Sequence, residues 1–263
     1  MEDTIIEEAL RSRDPNLAEK AFREIDTRFF GSTSAAQRAG LLLSKSVLLG
    51  VLHRFDDARK QLELASQQTP NDDPDFQLNL DLIASSLYDQ EGLPREALVQ
   101  LTAVLSKHAK RLKSPEFRST CEDIQLRRAL DSVSVGEYRN AISLLNECLT
   151  FDLGPQDKSN TLSNLGLSYS QLKNFEAAKD CFLEAIKIGV TKEWEGEVHC
   201  RLGIAYAHLN LFREAKRELK VCEDRASEYQ IPVDTIYAWL SRIRRALGEK
   251  AESERYARLG RPI

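Results

Sequence analysis

Leu165-Gly166-x-x-Tyr169, followed by Ala178-x-x-x-Phe182-x-x-Ala185, returns 37 positions later as Leu202-Gly203-x-x-Tyr206 with Ala215, Leu219 and Cys222. Self-similarity at such a period marks a repeat architecture, in which each unit packs on its neighbours and the apolar faces merge into one extended core. Small residues at Ala58, Ala97, Ala141, Ala178 and Ala215, with Ser253 as a degenerate sixth, extend the register at intervals of 39, 44, 37, 37 and 38. Before each lies a turn: His53-Arg54-Phe55, Gly92-Leu93-Pro94, Gly136-Glu137-Tyr138, Lys173-Asn174-Phe175, Asn210-Leu211-Phe212 and Gly248-Glu249-Lys250. Glycine or asparagine there can take the left-handed conformation that ends one helix and lets the next turn back. Two helices crossing at about 8–10 Å need short side chains where their backbones approach. Gly166, Gly203 and Ala129 supply them on the first helix of a pair (A), and Ala178 and Ala215 on the second (B).

The spacing Leu-Gly-x-x-Tyr…Ala-x-x-x-Phe-x-x-Ala resembles the tetratricopeptide repeat, a helix-turn-helix unit of about 34 residues. Intervals above that length resemble the longer-repeat variant found in adaptor and peptide-sensing proteins. The resemblance implies an all-α, right-handed superhelical solenoid of antiparallel helix pairs that binds a protein or peptide partner. Residues 1–38 read as a degenerate N-terminal helical pair, with Asp14-Pro15 as N-cap and first helical position. Repeats follow at about 39–77, 78–121, 122–158, 159–195 and 196–233, and residues 234–263 form a degenerate capping repeat. Pro70 to Pro74 and Ile188 to Trp194 read as connections, and the stretch from His108 to Pro115 leaves room for an extra half turn or loop. In the unit near Gln125, Arg128 and Ser132 stand where leucine and tyrosine are expected.

Composition narrows the function. With 42% hydrophobic and 30% charged residues and few glycines or prolines, the chain suits helices joined by short turns. A net charge of −4 argues against nucleic acid as partner, since phosphate recognition favours a basic face. The apolar run from Leu41 to Leu52 is too short to cross a bilayer and is interrupted by Lys45, so no membrane contact is expected. Five cysteines without close pairing read as reduced, buried thiols, and the acidic start lacks a signal-peptide pattern; both point to the cytoplasm. No phosphate-cradling glycine loop, HExxH or GxSxG is present, and the sparse histidines form no metal-ligand spacing with the cysteines, so neither catalysis, metal nor cofactor is expected.

Stacked units would line a concave face with their A helices. In this register the groove-facing polar residues are Asn160, Asn164 and Gln171 in one unit, Arg201 and His208 in the next, and Arg242 and Arg245 in the last. Amide and guanidinium groups suit a peptide backbone or carboxylate. Asn164 and Arg201 are similar in position to parts of the family's carboxylate clamp, but Glu197 replaces the lysine before the arginine, and Asp123 and Arg127 replace the upstream lysine-asparagine pair. The arginine-rich last 25 or so residues read either as a docking patch or as a cap paired with acidic neighbours. The resulting expectation is a non-catalytic interaction scaffold or adaptor. Its alternatives are a peptide-responsive regulatory sensor and, on the same scaffold, an enzyme or nucleic-acid-binding factor.

Overall fold

The computed structural model describes residues 4–12, 14–32, 34–68, 73–229 and 233–260; the part of the predicted connection at Pro70–Asp72 and the terminal Arg261 lie outside them. Fifteen α-helices and one 3-10 turn account for the regular structure among these residues. The chain divides into two compact units, Met1–Val135 and Gly136–Ile263, taken in turn.

In the first unit, α1 (Thr4–Ser12) packs on α2 (Pro15–Gly31), α3 (Ala35–Val51) on α4 (Phe55–Gln68), and α5 (Pro74–Glu91) on α6 (Pro94–Lys107). Asp14 caps α2 as expected, its carboxylate accepting from the Asn16 amide at 2.8 Å. Asp73 does the same for α5, taking both the Asp75 and Phe76 amides. The longest interval is filled by a one-turn helix, α7 (Ala109–Leu112), and the 3-10 turn Pro115–Phe117, before α8 (Arg118–Ser134). Leu112 buries its side chain from that insert, and Arg111 makes two 2.6 Å hydrogen bonds to Asp75. α8 then packs on α6, with Ile124 fully buried against Leu78 and Leu101.

The second unit opens with α9 (Tyr138–Cys148), which packs on α10 (Pro155–Gln171). Pairs α10/α11 (Phe175–Ile188), α12 (Lys192–His208)/α13 (Phe212–Tyr229) and α14 (Val233–Ala246)/α15 (Lys250–Leu259) follow. One continuous core runs through the last three pairs, built on Phe182, Leu202, Leu219, Ile236 and Ile243.

The motif residues carry the geometry that their spacing predicts. A Cβ on Gly166 would stand 2.7 Å from Cε1 of the fully buried Phe182, and one on Gly203 would stand 2.7 Å from Cγ of Leu219. Each glycine is therefore the socket for a large side chain placed four residues after the small anchor of the B helix. The A-helix residue twelve before each anchor is small throughout: Ser46, Ser85, Ala129, Gly166, Gly203 and Ser241. In two degenerate copies the serine hydroxyl also bonds the anchor's carbonyl, Ser46 to Ala58 at 3.0 Å and Ser241 to Ser253 at 2.9 Å. A buried hydroxyl must find such a partner, and here the facing helix provides it.

Five residues before every anchor the backbone turns left-handed: His53, Gly92, Gly136, Lys173, Asn210 and Gly248 have φ between 56° and 81°. In five of these turns the next amide donates at 2.9 Å to an A-helix carbonyl, including those of Tyr169 and Tyr206, closing a Schellman-type end. His53 and Lys173 hold this conformation although neither is the glycine or asparagine that favours it. A side chain there costs ~1–2 kcal/mol, offset by the backbone entropy that glycine would lose. Lys173→Gly should accordingly raise stability by up to about 1 kcal/mol, read as a higher denaturation midpoint.

Candidate groove sites on the A helices

Counting back from each anchor identifies one face of the A helix, whose residues range from buried, as Leu43 and Cys200, to exposed, as Gly40 and Asn79. Residues eighteen, fifteen, fourteen, eleven and seven before the anchor fall on one stripe, as helical periodicity requires. For Ala58 these are Gly40, Leu43, Ser44, Val47 and Val51; for Ala97 they are Asn79, Leu82, Ile83, Ser86 and Gln90. All but Val51 line one open cleft of about 390 Å³ in the first unit, together with Leu10 of α1 and Leu87. The composition is mostly aliphatic with an amide at each end, Asn79 and Gln90, which suits an apolar side chain held by a few polar contacts.

A second cleft of about 410 Å³ in the same unit lies between the α5–α6 turn and α8. It uses the same stripe, Arg127, Leu130 and Ser134, with Asp89, Gly92, Pro94 and Asp131 beside them. Arg127 is ion-paired with Asp89 through Oδ2 and reaches the Ser85 hydroxyl at 3.4 Å. Asp131 is 9% exposed, and its Oδ2 and Oδ1 of Asp89 are both buried without a hydrogen-bond donor. Burial, and then the negative charge of Asp89, push the Asp131 carboxyl up to about 7, with Arg127 pulling the other way. At neutral pH one proton can be shared across this pair, which satisfies an oxygen that an anion would leave exposed to its like neighbour.

In the second unit the stripe holds the residues expected from sequence except Arg245, which lies eight before Ser253, one place off the stripe position at Ala246. Asn164 turns its amide to the carbonyl of Asn160 at 2.9 Å, while Asn160 accepts from Gln156 at 3.0 Å. Arg201 is ion-paired with Glu197 one turn earlier, so the acidic residue in the clamp position neutralises the arginine beside it. Gln171 and Arg245 are exposed. His208 stacks on Phe175 with ring centroids 4.0 Å apart and planes 6° apart, and meets Trp239 edge-on at 5.1 Å. Arg242 lies 4.6 Å above the same indole. Burial, then Arg242 and Lys173, hold the His208 imidazole below its ordinary value. NMR titration of the His208 ring should therefore show a midpoint below 6.5, rising when Arg242 is replaced by glutamine.

The structure thus brings His208 and Arg242 together and adds two aromatics that sequence reasoning did not assign to the groove, Phe175 and Trp239. The register could have found Trp239: it lies fourteen before Ser253, the place that Asn164 and Arg201 hold in their units. Of the basic C-terminal residues, Arg244 faces inward to Glu249 and Glu252 and lies over Tyr256, as a cap would, while Arg255 and Arg258 line a surface depression.

Residues 159–188, covering most of α10 and all of α11, match the family model described as tetratricopeptide repeat. The chain thus carries a tetratricopeptide repeat. Among solved structures, the apo form of RapI is similar over 97% of this chain and 73% of its own, at 11% identity and a TM-score of 0.72. A signal transduction ATPase with numerous domains from Pyrococcus horikoshii, which carries a tetratricopeptide repeat sensor, matches 96% of this chain and 40% of its own at 16% identity and a TM-score of 0.76. A tetratricopeptide repeat protein from Parabacteroides merdae matches 85% and 80% at 20% identity and a TM-score of 0.59. At these identities the likeness is one of fold. No curated protein matches the chain in sequence. Among the described residues no helix is long and apolar enough to cross a membrane, and no group of three or more His, Cys, Asp or Glu side chains is placed to hold a metal.

Proposed function

We propose that this chain is a non-catalytic protein-interaction scaffold that holds a peptide or protein segment along this stripe of its A helices. The observation that carries the reading is the coincidence of register and cavity. The positions facing outward from the repeat motif are the ones that line the 390 Å³ cleft, and that cleft is aliphatic, as a peptide-anchoring surface should be. Asn160, Asn164, Gln171, Arg201, His208, Arg242 and Arg245 belong to the proposal as contacts of the second unit, with Phe175 and Trp239 added. So do the repeat bounds given from sequence and a cytoplasmic setting, which is in keeping with five cysteines outside any disulfide.

Selection of a random peptide library on the full chain tests it. Peptides should emerge with a recurrent aliphatic residue, and Val47→Asp with Ile83→Asp should weaken them at least tenfold, since fully burying one such side chain contributes about 1.5–3 kcal/mol. Binding left intact by this pair, and also by joint replacement of His208 and Trp239 with alanine, would remove the groove from the reading. A second reading, a peptide-responsive sensor, is favoured by the likeness to the Pyrococcus horikoshii protein with a tetratricopeptide repeat sensor. A sensor should compact in small-angle scattering when a selected peptide is added, whereas a static adaptor should not.

A further inference from the structure

The acidic pair in the second cleft of the first unit has buried acceptors that its own cation does not reach. Arg127 meets Oδ2 of Asp89 and the Ser85 hydroxyl through one nitrogen, Nη2, and Oδ1 of Asp89 and Oδ2 of Asp131 are left with no donor. Asp131 is nine-tenths buried, so water reaches it poorly, yet it lines a cleft open to solvent. Fully ionised, the three groups carry one net negative charge. Buried acceptors of that kind can be matched by a charged donor arriving from outside, whose bonds to a carboxylate are short and strong. With only two carboxylates in reach, the pair offers too few ligands for a divalent cation, whose sites use six or more oxygens. The neighbouring lining residues Gly92, Pro94 and Leu130 are uncharged and suit the aliphatic stem of an incoming side chain.

We propose that Asp89 and Asp131 form a recognition site for a positively charged side chain, arginine or lysine, of the bound segment. It rests on the groove reading above, since Arg127, Leu130 and Ser134 occupy the same stripe that lines the aliphatic cleft. The ligand's cation replaces the proton that the two carboxylates otherwise share. Binding therefore releases a proton and weakens as pH falls below neutrality. The charges facing this proton are Asp89 from α5 and Arg127 from its own helix, while α6 contributes the uncharged Pro94 to the cleft.

The test uses N-acetyl-arginine and N-acetyl-lysine N-methylamides as probes on the full chain, followed by amide chemical shifts in NMR. The expected result is saturable shifts confined to the amides of Asp89, Gly92, Leu130, Asp131 and Ser134 at pH 8 with at least one probe. Affinity should be at least fivefold lower at pH 5.5, and the neutral citrulline analogue should produce no such shifts. Asp131→Asn, which keeps the shape of the side chain and resembles its protonated form, should fold normally and lose both the binding and its pH dependence. Citrulline shifts equal to those of arginine, affinity independent of pH, or binding retained in Asp131→Asn each overturn the assignment. Because the probes lack an aliphatic anchor, their failure would leave peptide selection on the first cleft standing, and the two readings fail separately.

Discussion

Ala178→Trp should lower the stability of the second unit by at least the ~1–3 kcal/mol typical of bulk forced into a packed core, with a matching drop in the melting temperature. Ala178 is fully buried at the anchor position, opposite the A-helix residue that is small in every copy. The closeness of those two positions is direct in the first and last pairs considered, where Ser46 and Ser241 bond the anchor carbonyl itself. Gly166→Ala probes the same contact more gently. Its added methyl would meet the Phe182 ring at 2.7 Å, and that ring is fully enclosed, so it can yield only by shifting α11. Gly40→Ala in α3 is the informative comparison, because nothing lies within 4 Å of the new Cβ. There the change should stabilise by about 0.5–1 kcal/mol through helix propensity alone. One substitution with opposite signs at two helical glycines separates the socket from the propensity. An Ala178→Trp chain that melts with the wild type would place Ala178 on the surface and dissolve the register.

That register is the part of the molecule most legible in sequence, because it is enforced by excluded volume. A glycine facing a buried phenylalanine and a left-handed residue between two helices tolerate few alternatives, so their spacing survives where the rest of the motif has decayed. Ser46 and Ser241 show how decay proceeds: the small size is kept and a hydroxyl is accommodated by a carbonyl across the pair. Lys173 and His53 show the limit of the residue-type rule, since the surrounding helices impose the left-handed turn without glycine. The groove was legible only as a stripe. Periodicity tells which residues face outward, but whether a polar side chain is available depends on contacts that spacing does not encode. Arg201 is spent on Glu197, and the Asn164 amide on a carbonyl of its own helix. Trp239 stands at the stripe position fourteen before Ser253, but a search for polar groove contacts passes over an indole. The Asp89–Asp131 pair could not have been seen, for the two residues stand 42 apart on helices α5 and α8 and nothing in their local sequence marks them.

Asp131→Asn should raise stability at pH 8 and change it little at pH 5. The Asp131 carboxyl is pushed up to about 7 in the fold from an ordinary 3.8, chiefly by burial and then by Asp89. Between those two values the folded chain keeps a proton that the unfolded chain has lost, so native stability declines as pH rises through this window. Each pH unit is worth ~1.4 kcal/mol for one proton, which makes the wild type about 2–3 kcal/mol less stable at pH 8 than at pH 5 from this group alone. Asparagine has no proton to lose and can donate its amide to Asp89 at every pH, so the variant should lack that slope. Urea denaturation at the two pH values measures the difference directly. Asp123→Asn, on the exposed face of the same helix, controls for the removal of a charge and should leave the slope in place. A wild-type stability that rises steadily from pH 5 to pH 8, unaltered by Asp131→Asn, would mean that the two carboxylates ionise independently and share no proton. Stabilisation at pH 8 would instead show that the native chain retains an unfavourable buried anion, a cost that a functional groove can carry when an incoming cation offsets it.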